Sequence, residues 1–335
     1  MDFDLFLEYV KKHPVLISAL VGTGISLFLF RRWVAGGWCY SKARLDGKTV
    51  LITGANTGIG KETAIDLAKR GAKIIIACRS VQKAEAAQAE IIEFSGNRNV
   101  SVMELDLASL ESIRQCAEKI NKELTRLDIL INNAGVMTCP RWTTKDGFEL
   151  QFGTNHLGHF LFTNLLLDLI KKSSPARIVN LSSLAHENGD IHFDDLMLEK
   201  DYTPIKSYCQ SKLANVLFTK ELARRLEGTS VTTYSLHPGG VDTELQRHVT
   251  TSWPWLGIPL AILGPFLRRL MFKSAVEGAQ TTIHCAVDEK AGQETGLYYS
   301  DCKVKKPLPK AEDEAIARKL WEVSAELVGL EKKVE

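Results

Sequence analysis

The chain has no excess of either charge: across 335 residues, 42 lysines and arginines face 40 acidic residues, for a net charge of +2. That balance excludes the broad basic face with which nucleic-acid binders grip a phosphate backbone, so no nucleic-acid partner is expected. The seven cysteines, at 39, 78, 116, 139, 209, 285 and 302, include no CxxC pair and no metal-finger spacing. An odd number in a chain of this length argues against a disulfide framework and for reduced thiols facing the cytosol. Internal repeats and low-complexity tracts are missing too. The longest basic cluster, Lys303, Lys305, Lys306 and Lys310, is short and reads as a solvated loop. What is present, 45% hydrophobic and 24% charged residues, is the composition of an ordinary globular enzyme.

One apolar run stands apart. Residues 15–30, "VLISALVGTGISLFLF", carry no charge and are followed by Arg31 and Arg32. As a helix they reach about 24 Å, slightly short of a roughly 30 Å hydrocarbon core. Trp33, Val34 and Trp38 can extend the run or sit at an interface. Asp2, Asp4 and Glu8, without a small-residue cleavage site, argue against a signal peptide. A membrane anchor is therefore expected rather than a core helix. Lys11 and Lys12 precede it, while Arg31, Arg32, Lys42 and Arg44 follow, a bias that places the bulk of the chain in the cytosol. The expected division is an anchor and linker over 1–44, a catalytic domain over 45–310, and a C-terminal helix over 311–335 packed on that domain.

From residue 47 the pattern alternates. Apolar, β-rich runs at 49–53, 73–77, 101–105, 128–132, 177–181, 231–236 and 297–300 are separated by helical stretches such as 61–70 and 81–94. Strands apolar on both faces imply a mostly parallel seven-stranded sheet covered by helices on both sides, the doubly wound α/β plan of the Rossmann fold. Two segments depart from it. A polar insertion spans 188–206, and 253–272 is apolar but broken by Pro254, Pro259 and Pro265, which argues against one straight helix. A helical stripe at Ile316, Leu320, Val323 and Leu327 marks the tail.

The stretch "TVLITGANTGIGKETAIDLAKRGAKIIIACRS" carries the first functional signal. Gly54, Gly58 and Gly60 lie between a buried strand and a helix start, where the first N–H groups reach a phosphate only if no Cβ intervenes. The loop Gly54, Ala55, Asn56, Thr57, Gly58, Ile59 and Gly60 is thus a candidate dinucleotide cradle, although its GxxxGxG spacing is not the GxGxxG fingerprint. The second strand ends on Cys78 and Arg79 instead of the acid that holds a ribose in NAD enzymes. A guanidinium fork suits a 2′-phosphate, so NADP(H) is expected, with Lys61 adding charge and Asp106 and Leu107 flanking the adenine.

"SYCQSKLAN" places Tyr208 and Lys212 four apart on one helical face. A free phenol has a pKa of about 10, and a nearby ammonium is expected to favour the phenolate. Ser182 and Ser183 follow the fifth strand, "NNAG" over 132–135 ends the fourth, Asn155 lies in "TNHLGHF", and "HPGG" ends the sixth. All fall at the C-terminal edge of one sheet, where such folds bind ligands. His156 and His159, and His186 and His192 beside Asp194 and Asp195, match no standard zinc spacing, so no metal is expected. Cys209 is expected to pack.

TGxxxGxG, NNAG, the Asn of "NHLGHF", the serine and YxxxK, in this order over residues 45–300, resemble the short-chain dehydrogenase/reductase superfamily. Within it, "GKTVLITGANTGIGKETA", "LINNAGVMTCP", "NHLGHFLFTNLLLD", "YCQSKLANVLFTKELA", "TTYSLHPGGVDTEL" and "YYSDCK" are similar to the membrane-anchored NADP-dependent retinol dehydrogenases, the group that includes retinol dehydrogenases 11 to 14. The resemblance implies that Tyr208 exchanges a proton with the substrate oxygen, that Lys212 binds the nicotinamide ribose, and that Ser183 positions the oxygen. It also implies that Asn155 holds a proton-relaying water chain, that Asn133 and Gly135 line the cofactor channel, and that Pro238 and Val241 close on the nicotinamide. Asp242 departs from the pattern, standing where relatives often carry a basic residue. The expected reaction is NADPH-dependent reduction of retinal, reversible as retinol oxidation. Another lipophilic carbonyl, a lipid-derived aldehyde or a steroid, stays open from the residues alone, as does a non-catalytic dinucleotide-binding scaffold. The expected location is the endoplasmic reticulum membrane, with mitochondrial membrane and lipid droplet as alternatives.

Overall fold

The computed structural model describes residues 11–242 and 264–330. After a helix α1 (Pro14–Ala35), strands and helices alternate: β1 (Thr49–Thr53), α2 (Gly58–Lys69), β2 (Lys73–Cys78), α3 (Val81–Ser95), β3 (Val100–Glu104), α4 (Leu110–Glu123) and β4 (Ile129–Asn132). The second half adds α5 (Gly158–Lys172), β5 (Ala176–Leu181), α6 (Pro204–Arg225), β6 (Val231–His237), α7 (Gly264–Met271), α8 (Ala275–Val287), β7 (Leu297–Ser300), β8 (Lys303–Val304) and α9 (Glu314–Leu327). The strand order is β3-β2-β1-β4-β5-β6-β7-β8, parallel except for the last pair. The sheet thus has eight strands where seven were expected. The extra two-residue β8 turns back through Asp301 and Cys302, both at positive φ, and is too short to leave a periodic signature.

Alternation along each strand explains why helices cover both faces. Leu51, Ile75 and Ala77 point into one apolar cluster with residues of α4, α5, α6 and α9. Val50, Ile52, Ile74 and Ile76 point into the other with α2, α3 and α8. A strand with two dry faces is apolar at every position. Helix ends follow local chemistry. The Ser80 hydroxyl caps α3, which stops at Gly96 in the left-handed region. Ser274 and Glu277 form a capping box on α8. On α9, Trp321 packs edge-on against Phe160 and stacks with Phe218, while the Arg225 guanidinium lies 4.3 Å from its ring centroid.

Helix α1 has 22 residues, about 33 Å at 1.5 Å per residue, enough by length and composition to cross a hydrocarbon core. Most of its described apolar residues are exposed, with Trp33 at 76%. Of the proline-broken segment 253–272, residues 253–263 lie outside the described residues, and Gly264–Met271 forms α7. None of the seven cysteines forms a disulfide, and six of them are buried, Cys209 included.

Candidate active site

The turn from β1 into α2 is built by glycine. Gly54 and Gly58 have φ of +65° and +57°, where an L side chain is strained. At Gly60, a Cβ would lie 2.5 Å from Asn133 Nδ2 and 2.8 Å from the Gly54 carbonyl oxygen. Asn133 holds this turn against β4: its Nδ2 donates to the carbonyls of Thr53 and Gly54, at 2.8 and 3.2 Å. Ala55, Asn56, Thr57 and Ile59 complete the loop, and Ile59 faces α8 across Gly278. Such close approach of bare backbone at a helix start fits a dinucleotide pyrophosphate.

At the end of β2, Arg79 is exposed and makes no ion pair among the described residues. Lys61, expected beside it, is instead paired with Glu90 at 2.5 Å, because one turn of α2 carries its ammonium towards α3. The Asp106 carboxylate accepts from the Ala108 amide at 3.1 Å and lies 3.4 Å from Lys145 Nζ, while Leu107 is buried.

Tyr208 and Lys212 share the buried face of α6, with Lys212 Nζ 5.6 Å from the Tyr208 ring centroid. Burial pushes the Tyr208 hydroxyl up to about 12, against a lowering hydrogen bond with Ser183. The sequence suggested a phenol made acidic by the lysine. In the protein alone, burial dominates both groups and draws Lys212 down to about 8. The phenol is therefore a held proton, the form in which it can donate. Lys212 Nζ donates to the Leu181 carbonyl at 3.1 Å, leaving two further N–H donors.

The two serines separate cleanly. Ser182 is buried and its hydroxyl donates to the Lys212 carbonyl at 2.7 Å. Ser183 is half-buried, faces Tyr208, and accepts from the Ala185 amide at 3.2 Å. Its loop is held by His186 Nδ1, 2.6 Å from the Ser183 carbonyl, and by the Leu184 amide donating to His237 Nδ1 at 3.1 Å. From the short basic cluster, Lys305 pairs with Glu187 at 3.0 Å and Lys310 with Asp190 at 3.1 Å, so half of that cluster clamps this loop.

Asn155 sits in a π-helical turn, Gly153–Leu157, that the sequence did not announce. The Val136 amide donates to its Oδ1 at 2.8 Å, and its Nδ2 donates to the Val136 carbonyl and the Ser211 hydroxyl. His159 Nδ1 donates to the Asn155 carbonyl at 3.0 Å, and its Nε2 accepts from the Thr53 hydroxyl at 2.9 Å. That hydroxyl in turn accepts from the amides of Asn133 and Ala134. His159 thus ties β1, the β4 loop and the π turn together, and His156 bonds Ser324 on α9 at 2.9 Å. Both histidines have structural partners. A Cβ on Gly135 would press on Asn155 Oδ1 at 3.2 Å.

After β6, Pro238 is half-buried and Val241 is buried, forming a bridge to Lys273. The Lys273 amide donates to the Gly240 carbonyl, and the Asp242 amide to the Lys273 carbonyl. The buried Lys273 ammonium meets Asp301 at 2.6 Å, in the positive-φ turn before β8. Asp242, the departure from the family pattern, pairs with Arg268. Sequence reasoning missed Lys273, because a lysine paired across 28 residues leaves no local signal.

The arrangement is a phenol, a serine hydroxyl and an ammonium converging beside the glycine-built turn from β1 into α2. Residues 48–253 match the short chain dehydrogenase family. The chain belongs to this family. This short-chain dehydrogenase is 54% identical to human retinol dehydrogenase 13 over 96% of its own length and 97% of the relative's. It is 52% identical to human retinol dehydrogenase 12, covering 90% and 92% of the two chains. Among solved structures it is similar to an uncharacterised protein from Mycobacterium paratuberculosis, with a TM-score of 0.68 and 35% identity over 88% of this chain and 98% of that one. It also shares its fold with the NADP complex of RhlG from Pseudomonas aeruginosa, with a TM-score of 0.59 and 24% identity over 76% and 94% of the two chains.

Proposed function

We propose that this short-chain dehydrogenase reduces retinal to retinol with NADPH, and reverses as a retinol dehydrogenase. The bound dihydronicotinamide supplies a hydride to the carbonyl carbon. Tyr208 delivers the matching proton to the carbonyl oxygen, so one C–H and one O–H bond form as the C=O π bond breaks. Ser183 holds that oxygen against the phenol. Lys212, with two N–H donors uncommitted, holds the nicotinamide ribose. Asn155, in its π turn, anchors the water chain that reprotonates the phenol. The glycine loop from Gly54 to Gly60 takes the pyrophosphate, Asp106 and Leu107 flank the adenine, and Asn133, Gly135, Pro238 and Val241 line the nicotinamide channel.

The observation that carries this reading is Tyr208, buried beside Ser183 and Lys212, in a chain half identical to retinol dehydrogenases along nearly its whole length. NADP(H) over NAD(H) is supported by the exposed guanidinium of Arg79 at the end of β2, which has no ion pair among the described residues. Helix α1 supports a membrane-held enzyme; the basic residues that follow it favour a cytosolic catalytic domain, and the endoplasmic reticulum is the membrane we propose. The test is a comparison of purified full-length protein with all-trans-retinal, a medium-chain aldehyde and a steroid ketone at matched concentrations, with NADPH and NADH. NADPH oxidation fastest with retinal is expected. A steroid preferred over retinal, or equal rates with both cofactors, overturns the assignment.

A further inference from the structure

At the C-terminal end of α1, the side chains change character. Phe30 and Trp33 touch with ring centroids 5.9 Å apart, and with Trp38 and Tyr40 they form a run of exposed aromatics. Aromatic rings of this kind settle at the headgroup level of a bilayer. Helix α7 packs against α1 at this end. Between them and the start of α8 lies a cleft of 660 Å³ lined by Arg31, Arg268, Arg269 and Lys273, with Asp242 and Glu277.

The charges in this cleft are unequal. Glu277 neutralises Arg31 at 2.5 Å, Asp242 pairs with Arg268, and Lys273 is held by Asp301. Arg269 is exposed and has no ion pair among the described residues, and neither has the neighbouring Arg32. Two guanidinium nitrogens, Arg31 Nη1 and Arg268 Nε, are buried without any hydrogen-bond acceptor. A buried N–H left unsatisfied is costly, and a charged one more so. A phosphate oxygen is the acceptor that a guanidinium fork fits best.

We propose that this cleft binds the phosphate of an anionic lipid headgroup, docking the domain face beside α7 onto a negatively charged bilayer. The inference rests on reading α1 as a membrane anchor. Its ligand is a lipid and not free phosphate, because the cleft opens where the exposed aromatics place the headgroup layer. Docking here fixes the tilt of the domain about the end of α1. It turns α7 and the start of α8 towards the bilayer in which a lipophilic substrate dissolves.

The test uses the full chain in neutral detergent, with thermal unfolding followed during titration with dihexanoyl phosphatidylserine, dihexanoyl phosphatidylcholine or inorganic phosphate. A ligand of the folded state raises the unfolding temperature in proportion to its occupancy. The serine lipid is expected to raise it, and the choline lipid and phosphate are not. Each basic residue at an anionic surface contributes about five-fold in affinity, so Arg268→Gln with Arg269→Gln shifts half-saturation roughly thirty-fold. Arg269→Gln alone, at an exposed and unpaired side chain, shifts it about five-fold and guards against misfolding of the double variant. Equal stabilisation by the choline lipid or by phosphate overturns the proposal, as does an unchanged half-saturation in both variants. Retinal turnover, measured separately, shows whether the activity reading stands, and alkaline extraction of membranes does the same for the anchor.

Discussion

Lowering the pH from 7 to 5 is expected to destabilise this protein through two histidines behind the active site. Burial lowers His156 to about 3 and His159 to about 4, against an ordinary value of 6.5. The unfolded chain takes up protons as pH falls through 6.5, while the folded chain refuses them until about 4. The unfolded state then binds more protons, so stability is complete above 6.5 and lost as the pH drops. At pH 5, about 1.5 units below the unfolded value, each imidazole costs about 2 kcal/mol, or about 4 kcal/mol together. His237, also lowered to about 4 by burial, acts in the same direction. Glu149, raised by its burial, opposes it. The loss is directed at the site, because a protonated His159 turns an N–H on the Thr53 hydroxyl, which already accepts two amides. Urea unfolding at both pH values measures the difference, and His159→Gln should remove about 2 kcal/mol of it. Equal stability at pH 5 and 7, or the same pH dependence in the variant, refutes the reasoning.

Three further outcomes follow from the geometry. Arg79→Asp should raise the KM for NADPH ten- to a hundred-fold, the worth of a charged hydrogen bond of about 1.5–3 kcal/mol, and narrow the preference over NADH in steady-state kinetics. Gly54→Ala places a Cβ 2.8 Å from that of Ala134 at a φ of +65°, so denaturant unfolding should show a loss of about 2–4 kcal/mol and cofactor titration a weaker complex. Asp301→Asn removes the partner of the buried Lys273 ammonium and should raise the KM for NADPH more than it lowers kcat, through the loop at Gly240.

Seven strands, the glycine turn and the tyrosine–lysine pair were legible because each is written in local spacing. Burial on both faces makes β1 and β2 apolar at nearly every position, and a four-residue step puts Tyr208 and Lys212 on one face whatever surrounds them. Features set by distant partners were not. The π turn at Asn155 is held by Val136 and Ser211, which bond its side chain from two other parts of the chain. Beneath the site, Asn132 donates to Thr163 and Asn180, and Asn180 to Thr219, a buried polar chain across two strands and two helices that no periodicity reveals. The balance between Lys212 and burial at Tyr208 was not legible for a related reason. Spacing gives proximity, but burial decides the protonation state, and burial is a property of the whole fold.

The most direct measurement is single-turnover reduction of all-trans-retinal by Tyr208→Phe, with NADPH binding followed in the same preparation. Loss of the only proposed proton donor should slow the chemical step by a factor of about 10² to 10⁴ while cofactor affinity holds. A variant that binds NADPH and reduces retinal at the wild-type rate contradicts the role given to Tyr208.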